Sequence, residues 1–90
     1  MSQANVDPAE LRQFAQTLKK FNTDLQDRVT HLSSQLNALS ASWRDQENRK
    51  FCEEFDQHLR LIGHFVDANE QHIPRLLRKA ERIEEYLQQR

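Results

Sequence analysis

Leucine recurs every seventh residue through the first half of the chain, at Leu11, Leu18, Leu25, Leu32 and Leu39. Phe14 and Phe21 lie on the same seam, and Val29 and Leu36 widen it. A heptad stripe sustained this long predicts one helix with a single apolar face. Asp7 marks its start as an N-cap, Pro8 fits the first helical position, and Glu10 completes a capping box. The expected helix runs from Pro8 to about Ser40, roughly 50 Å at ~1.5 Å per residue.

The stripe stops at Ser40-Ala41-Ser42-Trp43-Arg44-Asp45 and resumes beyond it. Phe51, Phe55, Leu59, Ile62, Phe65 and Val66 are followed by Ile73, Leu76, Ala80, Ile83 and Leu87, mostly three and four residues apart. This predicts a second long helix. Ser42 is its expected cap, with Asp45 reaching back to the Ser42 amide. Asp45 and Glu47 also suit the positive end of a helix dipole. So short a connection lays the two helices antiparallel.

Three residues punctuate the second helix. The apolar phase continues past Pro74, and Ile73 is a poor N-cap, so a kinked continuous helix is expected rather than a break. Gly63 costs about 1 kcal/mol relative to Ala in a helix interior. It marks either a surface position or a close approach of another helix. Asn69 shares a register with Phe55, Ile62, Leu76 and Ile83. It is either a polar residue that fixes the seam's register or one at the stripe's edge.

A lone hairpin has one contact surface between its helices, and the second helix is apolar over a wider arc. Phe51, Cys52, Phe55, Leu59, Leu61, Ile62, Phe65 and Val66 cannot all face the first helix. Each large side chain left in water forfeits ~1.5–3 kcal/mol of burial. The expected architecture is therefore all-α: an antiparallel two-helix hairpin that dimerises into a four-helix bundle. Leu11, Phe14, Leu18, Phe21, Leu25 and Leu32 of the first helix belong to the expected core and dimer interface. Phe51, Phe55, Leu59, Ile62, Phe65 and Val66 of the second complete it. A two-fold homodimer is the default, and a related hairpin would satisfy the same surface.

Composition narrows the function. Ninety residues with one Gly and two Pro make one domain, residues 1–90, with little material for turns. A net charge of -1 excludes a globally basic nucleic-acid binder, and no nucleic-acid partner is expected. Arg75, Arg78, Lys79 and Arg82 share one helix face. That face is either ordinary solvated surface near a C-terminus, where cations suit the dipole, or a docking site for an anionic partner. No aromatic interleaves with these charges as single-strand binding would want.

The chemistry of an enzyme is missing. His31, His58, His64 and His72 include no pair at i and i+4, and none follows a Glu by three positions, so neither helical metal motif is present. No cofactor or metal is expected. Cys52 has no partner for an intrachain disulfide and reads as a small core residue, with an inter-subunit disulfide as a further option. No Gly-rich phosphate loop exists. The N-terminus lacks the basic and apolar regions of a signal peptide, and no apolar run approaches the ~20 residues of a membrane span.

With Val6-Asp7-Pro8-Ala9-Glu10-Leu11, the long first helix, Ser42-Trp43 at the bend and Phe51 eight residues beyond Trp43, the chain resembles the WXG-motif helical hairpins. These are the early-secreted-antigen-like substrates and partners of type VII secretion. The resemblance covers nearly the whole chain. It implies antiparallel dimers of hairpins, export without a signal peptide, and a role as secreted effector, adaptor or co-secreted partner rather than enzyme. It also implies a secretion ATPase as a further partner. The alternative is a cytoplasmic interaction module, adaptor or chaperone-like, on the same scaffold. Two departures stand out. The turn motif reads Ser42, Trp43, Arg44, Asp45, with Asp45 where the family has glycine. The tail signal of many secreted members is a tyrosine followed four residues later by an acid, whereas Tyr86 is followed by Arg90. An antiparallel dimer would bring Trp43 of one chain near Tyr86 and Leu87 of the other. The simpler role of Trp43 is to close its own hairpin over Leu39 and Phe51.

Overall fold

The computed structural model describes residues 6–89, which form two helices joined by a five-residue bend. Helix α1 spans Pro8–Ser40 and α2 spans Gln46–Gln88. The start of α1 follows from its capping signals. The Asp7 side chain accepts a hydrogen bond from the Ala9 amide at 2.9 Å, and Pro8 occupies the first turn. Helix α2 continues unbroken through Pro74, as its uninterrupted apolar phase requires.

The bend differs from expectation in which residue caps which helix. Asp45, in extended backbone, is the N-cap of α2, and its carboxylate accepts from the Asn48 amide at 3.0 Å. Ser42 does not cap α2. Its hydroxyl turns back and donates to the Leu39 carbonyl at 3.3 Å. The reason is that the chain is still unwinding from α1 at this point. The Ala41 amide donates to the Ala38 carbonyl, and the Ser42 and Trp43 amides both donate to the Leu39 carbonyl. These bonds satisfy the Ala38 and Leu39 carbonyls in the last turn of α1, and Arg44 Nε donates to the carbonyl of the C-cap Ala41 at 2.9 Å. No residue from 6 to 89 has a positive φ. The bend therefore needs no glycine, and Asp45 takes that place without strain.

The two helices pack along their length, but what lies between them is thin. Among the described residues Ala15, Val66 and Ala80 are the enclosed apolar ones, and no large side chain is completely buried. Asn22, Asn48 and Asn69 are buried beside them. The shape is a rod of 68 × 24 × 15 Å with a radius of gyration of 20.1 Å. A compact domain of this length has a radius near 12 Å. At the open end, Arg12 grips Glu84 with two hydrogen bonds, Nη2 to Oε1 at 2.6 Å and Nε to Oε2 at 3.2 Å. Gly63 faces open space, with nothing within 4 Å of an added Cβ, so within the hairpin it is a surface position.

Candidate interaction face

The apolar residues expected in the core divide into two sets. Leu11, Leu18 and Leu25 of α1 and Phe55, Leu59 and Ile62 of α2 are half-buried along the helix contact, with Val66 enclosed. Phe14, Phe21, Leu32, Phe51 and Phe65 remain exposed, Phe14 by 56% and Phe65 by 49%. Heptad geometry explains the division of the phenylalanines; Leu32 is the exception, exposed although it shares the stripe of Leu11, Leu18 and Leu25. In α2 the contact positions recur at Asn48, Phe55, Ile62, Asn69 and at Cys52, Leu59, Val66, Ile73. Phe51 and Phe65 belong to the next stripe outward. In α1 the corresponding outer stripe holds Phe14 and Phe21.

The outer stripes of the two helices meet on one side of the hairpin. The rings of Phe21 and Phe65 stand edge to face with centroids 6.2 Å apart. Toward the bend, Phe51 stacks on Phe55 at 5.7 Å and meets Trp43 at 6.1 Å. Leu32, Leu36 and Leu39 join Phe51 and Phe55 around a mainly apolar groove whose one polar lining residue is Gln35. Trp43 is half-buried against its own hairpin through Phe51. Tyr86 lies at the far end of α2, 67% exposed.

Beneath this face run two polar clusters. At mid-height the Asn22 amide group donates to the Val66 carbonyl at 3.0 Å and accepts from the Asn69 amide group at 2.9 Å. Asn69 is thus inside the seam, not at its edge. Near the bend, Asn48 Nδ2 donates to the Ser40 hydroxyl at 3.2 Å, and Cys52 Sγ donates to Asn48 Oδ1 at 3.3 Å. Cys52 is a half-buried free thiol that fills this corner. Asn22 and Asn48 were not among the residues singled out by apolar pattern. The signal was their register: Asn22 lies seven residues from both Ala15 and Val29, and Asn48 seven before Phe55.

No side-chain nitrogen or oxygen buried among the described residues lacks a partner. All four histidines are exposed. Among the described residues no group of His, Cys, Asp and Glu is placed to hold a metal ion. No described helix is long and apolar enough to cross a membrane. What the geometry offers is a long apolar strip with aromatic anchors, suited to another helical surface.

The profile of WXG100, described as proteins of 100 residues with WXG, matches residues 3–88. The chain belongs to the WXG100 family. A search of curated proteins finds no match. Among solved structures, the WXG100 hairpin is similar to the secreted protein EsxB of Bacillus anthracis strain Sterne. The wild-type crystal structure shares 24% identity over 91% of this chain and 88% of that chain, with a TM-score of 0.77. Its selenomethionine form shares 23% identity over 96% and 98%, with a TM-score of 0.79. At this identity the likeness concerns the fold. Within the WXG100 pattern, the third position of the motif is the Asp45 that caps α2.

Proposed function

We propose that this protein is a non-enzymatic substrate or partner of a type VII secretion system, active as a single hairpin domain paired with a second hairpin. The observation that carries this reading is the exposed aromatic strip from Phe14 to Phe51 on a WXG100 hairpin. An isolated chain of 10.7 kDa would expose about 5,500 Å² if compactly folded. This chain exposes 7484 Å², an excess on the order of 1,500–2,000 Å². That excess exceeds the ~800 Å² each partner contributes to a standard protein interface. The EsxB neighbour is described as a secreted protein, which supports export for the scaffold.

In a pair with the two bends at opposite ends, Trp43 of one hairpin would approach Tyr86 and Leu87 of the other. This would build a composite surface for a secretion ATPase from bend and tail. The deciding experiment is detection of the protein in culture medium, with and without the secretion ATPase gene. Appearance in medium that is lost on deletion supports the reading. Strict retention in the cytoplasm of secreting cells overturns it. Retention would favour the second reading, a cytoplasmic interaction module. One observation points that way: Arg90, not an acid, stands four residues after Tyr86.

A further inference from the structure

Arg75, Arg78, Lys79 and Arg82 stand together on α2, and neither of the two local reasons for placing cations there applies. The first is the helix dipole, which favours cations only within the last turn of a helix. The last turn of α2 has no basic residue, and Arg82 lies more than a turn before its end at Gln88. The second is pairing within the hairpin. Among the described residues the ion pairs are Arg12–Glu84 and Lys20–Asp24, and none of the four cations joins either. Glu81 and Glu85 follow Arg78 and Arg82 by three residues without coming within ion-pair distance. Helix α1 supplies no carboxylate. Arg12 bonds to Glu84, and Lys19 borders a groove with Ile73 and Pro74, so the α1 segment between them runs beside the basic stretch. That segment is Gln13-Phe14-Ala15-Gln16-Thr17-Leu18, with no acid in it.

The cluster instead opposes itself. Arg75 lies three and four residues before Arg78 and Lys79, and Arg82 lies four and three residues after them. Side chains at these spacings are neighbours, and like charges so placed destabilise a helix. All four are exposed, whereas Ile73, Leu76, Leu77 and Ala80 take the contact with α1. The basic ridge therefore points away from the hairpin. Arg75, Arg78 and Arg82 also lie outward of the stripe of Phe51 and Phe65, so a second hairpin on the aromatic face leaves them open.

We propose that this ridge docks a short acidic segment of a protein partner, one that presents carboxylates along a helix at the same spacing. Three of the four cations are arginines, whose planar forks take a carboxylate through two parallel hydrogen bonds. From Arg75 to Arg82 the ridge is about 10 Å long, and Glu81 and Glu85 flank it. This suits a few carboxylates on one segment, whereas nucleic-acid binding is built from many phosphate contacts. A membrane fits less well for another reason. Glu47 and Glu54 lie on the same heptad stripe as Arg75 and Arg82, so a rod laid flat on an anionic surface would press acids against it. Neither export nor the occupant of the aromatic face enters into this docking.

The test is binding of a fluorescein-labelled, helix-forming peptide of alanine, glutamine and glutamate, with glutamates at i, i+3, i+4 and i+7. Fluorescence anisotropy at low salt follows the titration. The full chain is expected to bind this peptide and to ignore its counterpart with glutamine for every glutamate. Combining Arg75→Gln, Arg78→Gln, Lys79→Gln and Arg82→Gln is expected to weaken binding by roughly tenfold or more. A control that neutralises as many cations elsewhere, Lys19→Gln, Lys20→Gln, Arg49→Gln and Lys50→Gln, is expected to leave it nearly unchanged. Circular dichroism separates docking from folding: the ridge variant should melt no lower than wild type, because its cations make no ion pair within the hairpin and repel one another. Equal binding by the ridge variant, an equal loss in the control, or a lower melting temperature of the ridge variant overturns the proposal. So does failure of the full chain to bind the acidic peptide, whether or not phosphatidylglycerol vesicles or duplex DNA bind the ridge instead.

Discussion

Asn22 reaches across the hairpin to donate to the main-chain carbonyl of Val66, and Asn69 donates to Asn22 in turn. Both asparagines are at least nine-tenths buried. A leucine seam alone tolerates sliding by one heptad. A side-chain amide tied to one particular carbonyl does not, because the slipped state leaves buried polar atoms unpaired. Asn22→Ala is expected to lower stability by about 1–3 kcal/mol, since it orphans the Asn69 amide in a dry seam. Replacing both with leucine is expected to be near neutral, or stabilising, while broadening the distribution of registers. Urea unfolding at fixed protein concentration measures the first effect, and hydrogen exchange along α2 the second. A single Asn22→Ala change without loss of stability would show that the amide contact does not form.

The bend yields a second prediction. Asp45 caps α2 through the Asn48 amide, whereas Ser42 only closes the last turn of α1. Asp45→Ala should therefore destabilise by about 1 kcal/mol, Asp45→Gly by a few tenths, and Ser42→Ala by a similarly small amount. Thermal melts of the three variants at one concentration decide the ranking. Were Ser42→Ala the most damaging, the capping assignment would be reversed.

How much of this was legible in the sequence can be argued residue by residue. The limits of α1 were readable because Asp7, Pro8 and the end of the leucine stripe are local signals. The antiparallel hairpin was readable because the bend is too short for anything else. The capping of α2 was not, because Ser42 and Asp45 are both competent caps. Only the path of the backbone decides between them. The division of the phenylalanines was hidden for another reason. A heptad stripe specifies one side of a helix to within about 50°, and the partner helix takes one edge of it. Phe14 and Phe21 fall beyond that edge, which only the packing of α1 on α2 reveals. Asn22 and Asn48 escaped because an apolar search passes over asparagine even where its register is that of the core.

Arg12 and Glu84 fasten the open end, and their effect depends on pH. The hydrogen bond and positive charge of Arg12 hold the Glu84 carboxyl below the usual glutamate range. A carboxyl depressed in the folded state contributes stability above its unfolded pKa, about 4.3, and loses it as pH falls through the folded value. The wild type should therefore lose more stability than Glu84→Gln between neutral pH and pH values below 4. At neutral pH the difference is small, since both side chains are substantially exposed. Parallel urea titrations of the two proteins across this range measure it. Identical pH dependence would show that the pair does not persist in solution.

The opposite sides of α2 should respond oppositely to substitution, and this separates hairpin stability from pairing. Gly63 borders a groove between the helices, walled by Val29, Leu59 and Ile62 as well as Gln26, Thr30 and Asp67, with nothing within 4 Å of an added Cβ. Gly63→Ala should stabilise the helix by about 0.5–1 kcal/mol and leave association unchanged. Phe65, on the other side, is half exposed in the single hairpin and in contact with Phe21. Phe65→Ser removes an aromatic anchor from the proposed pairing face while leaving Val66, the enclosed residue beside it, in place. It should reduce self-association by more than tenfold, the equivalent of at least ~1.4 kcal/mol for a ring that each copy would otherwise bury. Phe55→Asp, which places a charge between the helices as well as beneath the face, should dissociate and unfold the protein together. Light scattering and circular dichroism on the three variants distinguish the outcomes. If Phe65→Ser associates like wild type, the aromatic strip is not where a second hairpin sits.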